Sequence, residues 1–108
     1  MFTIDDIAVA TGGRIVGSAE GEVSGVSTDS RSVDSGELFV PLPGPSFDGH
    51  DYLSSVADQG IRTVLASELW LLNHSLPGSL TCIAVNDTLR SLKSILRRPT
   101  VSAMTFRW

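Results

Sequence analysis

Four consecutive residues, Thr28, Asp29, Ser30 and Arg31, place two hydroxyls, a carboxylate and a guanidinium at the end of an apolar stretch, where chains turn and expose side chains. Such a cluster can read a polar ligand. Thr28 and Ser30 can donate to or accept from a base or ribose edge, and the planar fork of Arg31 suits a phosphate. The fork suits Asp29 or Asp48 equally well, so a structural ion pair between Asp29 and Arg31 stands beside ligand contact as a reading of the same residues. Ser30 makes a poor nucleophile, because neither the elbow glycines nor a base with its orienting partner accompany it.

The remaining reactive side chains point to structure. His50 follows Asp48-Gly49, and a hydrogen bond that fixes the turn is preferred to general-base work. His50 and His74 stand 24 residues apart with no histidine pair or cysteine cluster near either, so no metal ligand set forms. Cys82, the single cysteine, lies in the apolar string CIAV and reads as a small core residue. Gly12-Gly13 is followed at once by Arg14 and not by the lysine of a phosphate loop, and the only lysine of the chain, Lys93, falls inside an amphipathic stretch. A helix stop is the better reading of the pair. No residue is assigned a catalytic role. Trp70 is expected to anchor a core or an interface.

The elements that must carry these residues alternate. Thr3 with Asp6 forms a capping box with Phe2 and Ile7 at staple positions, predicting a helix over about 3–11. Residues 14–16, 23–27 and 38–40 read as strands, the last expected to end or lie at an edge near Leu42 because Pro41 and Pro43 lack donors. Asp48 and Asp51 repeat the capping logic, with Phe47 and Tyr52 as the staple, for a helix running to Gly60 with Tyr52, Leu53, Val56 and Ala57 as its apolar stripe. Residues 62–66 and 82–85 are further strands. Residues 67–79 form a loop or short helical excursion, and Asn86 or Asp87 caps a helix bearing Leu89, Leu92, Ile95 and Leu96. This pattern predicts an α/β fold: a small mixed sheet of about five strands flanked by two or three helices.

A chain of 108 residues is one domain's worth, and 42% hydrophobic with 19% charged residues is ordinary for a globular protein. The net charge of −4, with basic residues scattered, leaves nucleic acid an improbable partner. No apolar run approaches the ~20 residues of a membrane span. The acidic start MFTIDD has the wrong polarity for a secretory signal, so a cytoplasmic location is the expectation.

Taken in order, TGGRIVG, STDSR, SGELFVPL, GPSFDGHDY, QGIRTVLAS and IAVNDTLRSL resemble the amino-terminal substrate domain of the Mur ligases. The resemblance runs from about residue 4 to 98, nearest in pattern to the member that adds D-alanyl-D-alanine to UDP-MurNAc-tripeptide; the member adding the third peptide residue shares the DSR and DGH regions. It implies a Mur ligase amino-terminal fold over 1–98 that binds the UDP end of a UDP-MurNAc-peptide in peptidoglycan synthesis, on which cell wall, shape and division depend. By position, Thr28, Ser30, Pro45 and Ser46 would line the uridine site, while Asp29, Arg31, Asp48 and His50 would brace its loops. Residues 99–108 resemble the start of the central ATP-binding domain. Phe106-Arg107-Trp108 then stands in place of the loop glycine, so the resemblance implies that ATP, magnesium, the catalytic lysine and the carboxy-terminal domain belong to parts of the enzyme outside these residues. In the full enzyme the resemblance implies an ATP-dependent acyl phosphate attacked by the incoming amine, with this chain by itself inactive. A strand without its own sheet predicts disorder, self-association or makeshift packing for 99–108. The competing reading is a non-catalytic interaction domain of the same fold that binds a protein through its tail and Trp70.

Overall fold

The computed structural model describes residues 2–17, 21–42, 48–97 and 105–107. Its first helix shows how local chemistry sets an element. Thr3 Oγ1 accepts the Asp6 amide at 3.1 Å and Asp6 Oδ2 accepts the Thr3 amide at 3.0 Å, so two end donors are satisfied reciprocally and α1 (Ile4–Thr11) starts there. The two glycines that end it do different work. Gly12 takes the left-handed conformation (φ 68°), whereas at Gly13 a Cβ would lie 2.5 Å from Ile83 Cγ2.

The predicted strand over 23–27 is two strands. Glu22–Val23 (β3) pairs antiparallel with Phe2–Thr3 (β1), while Gly25–Ser27 (β4) joins the main sheet. Ser24 is the joint: its amide and its hydroxyl both donate to Gly36 O, at 2.9 and 3.2 Å. The main sheet adds Arg14–Val16 (β2), Glu37–Phe39 (β5), Thr63–Ser67 (β6), Thr81–Val85 (β7) and Thr105–Arg107 (β8) in the order β2-β7-β6-β5-β4-β8. Only β2 runs antiparallel to its neighbour. The strand bearing Leu38 and Phe39 ends before Pro41 as expected, but in the middle of the sheet rather than at an edge.

Helices cover both faces, which is why the central strands read as continuous apolar runs. Leu38, Val40, Leu65, Ile83 and Val85 face one core with Ile4 and Ile7 of α1 and with Leu92 and Ile95 of α4 (Thr88–Leu96). Alternate residues Phe39, Val64, Ala66 and Cys82 face the other, with Leu53 and Val56 of α2 (Leu53–Asp58). Cys82 is fully buried in that second core, and burial pushes its thiol up to about 12. The 67–79 segment contains a six-residue helix, α3 (Glu68–Asn73), capped by Ser67.

Two helices depart in detail from expectation. The segment after Asp48 begins as a 3-10 helix (Gly49–Tyr52) before becoming α2, because Asp48 Oδ1 takes the His50 amide, not that of Asp51. Tyr52 is consequently exposed, outside the apolar stripe assigned to it. In α4, Asp87 is the cap, but Leu89 and Leu96 are exposed and the buried line runs Thr88, Ser91, Leu92, Ile95. That line has the i, i+3, i+4, i+7 spacing of one helical face, so the two small polar residues win burial by position, not by hydrophobicity.

Candidate functional site

The carboxyl ends of the parallel strands β4, β5 and β6 emerge on one side of the sheet, the side at which open α/β sheets bind ligands. There β4 runs into the 28–31 loop. Buried Ser27 Oγ accepts the Asp29 amide at 3.2 Å, Asp29 Oδ1 accepts the Arg31 amide at 2.9 Å, and Asp29 O accepts the amides of Ser32 and Val33. The loop thus ties its own backbone. The Arg31 amide, helped by the nearby guanidinium, holds the Asp29 carboxyl below the usual aspartate range.

Arg31 reaches Asp29 Oδ1 only at 3.5 Å through Nε, with its side chain 91% exposed. Its guanidinium braces little; its amide is the part that holds the turn. Thr28 and Ser30 are half-buried, and neither hydroxyl has a hydrogen-bond partner among the described residues. From outside the loop, Gln59 Nε2 at the end of α2 donates to Ser30 O at 3.0 Å.

The second loop leaves β5. Its neck is closed where the Gly49 amide donates to Leu42 O at 2.9 Å, and the fit is close: a Cβ on Gly49 would lie 2.7 Å from Leu42 N and 3.0 Å from Pro41 Cα. Pro45 and Ser46, assigned above to the uridine site, and the staple residue Phe47 lie outside the described residues. Next to the neck, Asp48 Oδ1 accepts both the amide of His50, at 3.0 Å, and its ring Nδ1, at 2.6 Å. The other ring nitrogen, Nε2, accepts the amide of Ser67 at 3.0 Å, joining the neck to the end of β6. Burial alone would raise the Asp48 carboxyl, but the amide and ring of His50 outweigh it and leave the group below its ordinary value.

Trp70 stacks on His50 with centroids 5.3 Å apart and on His74 at 4.4 Å, the latter nearly parallel. On the same helix Leu69 and Leu72 point outward instead, 72% and 81% exposed. The residues missing from the sequence reading are therefore Gln59 and Ser67. Neither carries a local signal, since their partners stand 29 and 17 residues away.

Of the clefts lined by described residues, two that lie away from these loops have the following walls. One of about 450 Å³ is lined by Arg14, Glu68, Asp87 and Arg90, and in it Arg14 Nη2 binds Glu68 Oε1 at 2.8 Å. The other, about 750 Å³, opens at the amino ends of β5, β6 and β7. Lys93 sits exposed on α4 without a glycine loop, and among the described residues no group of three or more His, Cys, Asp or Glu could hold a metal.

Known proteins share this architecture. Over 75 residues the chain is 39% identical to UDP-N-acetylmuramoyl-L-alanyl-D-glutamate--2,6-diaminopimelate ligase of Phocaeicola vulgatus, covering 69% of this chain and 15% of that protein. The UDP-N-acetylmuramoyl-L-alanyl-D-glutamate--L-lysine ligase of Staphylococcus aureus is 39% identical over 77 residues, covering 71% of this chain and again 15% of the relative. This chain therefore spans about 15% of the length of the curated relatives it matches. Among solved structures, the UDP-N-acetylmuramoylalanyl-D-glutamyl-2,6-diaminopimelate--D-alanyl-D-alanyl ligase of Acinetobacter baumannii superposes with a TM-score of 0.73 at 24% identity, over 87% of this chain and 20% of that one. Residues 22–87, more than half of the chain, match the family model described as "Mur ligase family, catalytic domain", and the chain belongs to the Mur ligase family.

Proposed function

We propose that this chain is the substrate-holding domain of a Mur ligase, binding the UDP end of a UDP-MurNAc-peptide, in the enzyme that joins D-alanyl-D-alanine to the tripeptide. One observation carries the reading. Among the described residues the hydroxyls of Thr28 and Ser30 have no hydrogen-bond partner, on a loop whose backbone is already tied down, so both can meet a polar ligand without reorganising. Pro45 and Ser46 complete the uridine site, and Asp29, Asp48 and His50 hold the two loops. The chain supplies binding and orientation; ATP and magnesium act elsewhere in the longer enzyme, and the reaction is cytoplasmic. The D-alanyl-D-alanine assignment leans on the likeness to the Acinetobacter baumannii fold.

A second reading has its own support: the 39% identity to ligases that add L-lysine or 2,6-diaminopimelate favours the enzyme adding the third peptide residue. Titration calorimetry of the 108-residue chain with UDP and UDP-MurNAc-tripeptide tests what the two readings share. Binding is expected, weakened about fivefold by Ser30→Ala for one lost hydrogen bond. No heat from either ligand at millimolar concentration would sink both. To separate them, the full-length ligase is assayed with tripeptide plus D-alanyl-D-alanine and with dipeptide plus L-lysine or 2,6-diaminopimelate; turnover of the dipeptide alone selects the second reading.

A further inference from the structure

We propose that His50 is a positioning residue held as one neutral tautomer, its proton on Nδ1 toward Asp48 and its Nε2 kept bare for Ser67, and that this lock sets the position of the Ser30 loop. The backbone amide of Ser67 can only donate, and it points at Nε2 from 3.0 Å. A hydrogen on that nitrogen would oppose two donors. Asp48 can accept at 2.6 Å and stays ionised under ordinary conditions, so it draws the ring's single hydrogen to Nδ1. With the ring only 4% exposed, water has little room to replace either partner.

The lock reaches the ligand loop through a short rigid path. His50 lies in the 3-10 helix, which continues without a break into α2, and Gln59 at the end of α2 donates to Ser30 O. Fixing His50 against the end of β6 therefore fixes where Gln59 presents its amide, and with it Ser30. A hydrogen on Nε2 would put N–H against N–H at Ser67 and release the register. Among the described residues, the titratable groups near the ring are Asp48, which caps the 3-10 helix, and, beyond the Trp70 indole, His74 just past the end of α3. This deepens the proposed function only where ligand affinity is read; the tautomer and the coupling to Ser30 stand apart from it.

Long-range proton–nitrogen correlation spectra of the 108-residue chain decide the tautomer: a protonated Nδ1 and a bare Nε2 are expected, with a hydrogen-bond coupling between the Ser67 amide and Nε2. Protonation at Nε2, averaging between tautomers, or a Ser67 amide with no coupling to the ring would overturn the proposal, and none of these needs a variant that folds. His50→Gln keeps an acceptor near the Nε2 position, while His50→Asn keeps only a donor toward Asp48. The Gln59 and Ser30 signals should stay near wild type in His50→Gln and move in His50→Asn, and UDP affinity should fall under threefold in the first and about tenfold in the second. Equal behaviour of the two variants would reject the Ser67 link. If the wild-type chain binds no UDP, the function reading fails, and the Gln59 and Ser30 signals still decide this one.

Discussion

Asp48 and Gly49 sit side by side and constrain the same neck by different physics. Asp48 is an acid whose carboxyl is held below its ordinary value when folded, so its contribution to stability is present above the unfolded value of about 3.9 and is lost as pH falls through the lower folded value. Asp48→Asn can still accept from His50 but loses the charge; its melting temperature is expected to fall less steeply with acid than that of wild type, read by thermal circular dichroism from pH 6 to 2. At Gly49 the constraint is space. The atoms a Cβ would strike are backbone and cannot turn aside, so Gly49→Ala should destabilise by about 2 kcal/mol or more in urea unfolding. Cys82 gives the third test at this scale: a buried thiol raised to about 12 should ignore a disulfide reagent at pH 8 until urea unfolds the chain, and labelling of the folded protein would contradict its burial.

At the scale of elements, caps were the most legible signals because they act within three residues. Thr3 with Asp6 and Asp87 with Arg90 each join a side chain to an amide three positions on, whereas the cap of Ser67 on Trp70 emerged only in the structure. Asp87→Ala should cost about 1 kcal/mol, a drop of roughly 4–8 °C in melting temperature. Leu92→Ala, on the buried line of α4, should cost about 2–5 kcal/mol, whereas Leu89→Ala, exposed three positions earlier, should cost far less. The sequence pattern ranked those two leucines alike. Periodicity marks which residues are apolar, but only the docked helix decides which 100° of its surface meets the sheet. The division of 23–27 into β3 and β4 was hidden for a similar reason: Ser24 leaves the ladder to bind Gly36, a partner twelve residues away.

In the whole molecule, the carboxy-terminal strand tests how the sheet ends. β8 pairs parallel with β4 in the register Gly25↔Thr105, Val26↔Phe106, Ser27↔Arg107, while the rest of 99–108 lies outside the described residues. Removing residues 105–108 should leave a folded five-stranded sheet by circular dichroism while amide exchange rises across Gly25–Ser27; unchanged exchange would mean that β8 does not pair in solution. By itself the sequence determined the alternation of strands and helices, the caps, the apolar strands and the polar 28–31 turn, since each depends on neighbours within a few residues. Strand order, the exposure of Arg31, and the meeting of His50 with Ser67 and of Gln59 with Ser30 were decided by the tertiary structure, because those partners are brought together by sheet pairing and helix docking across separations that leave no local pattern.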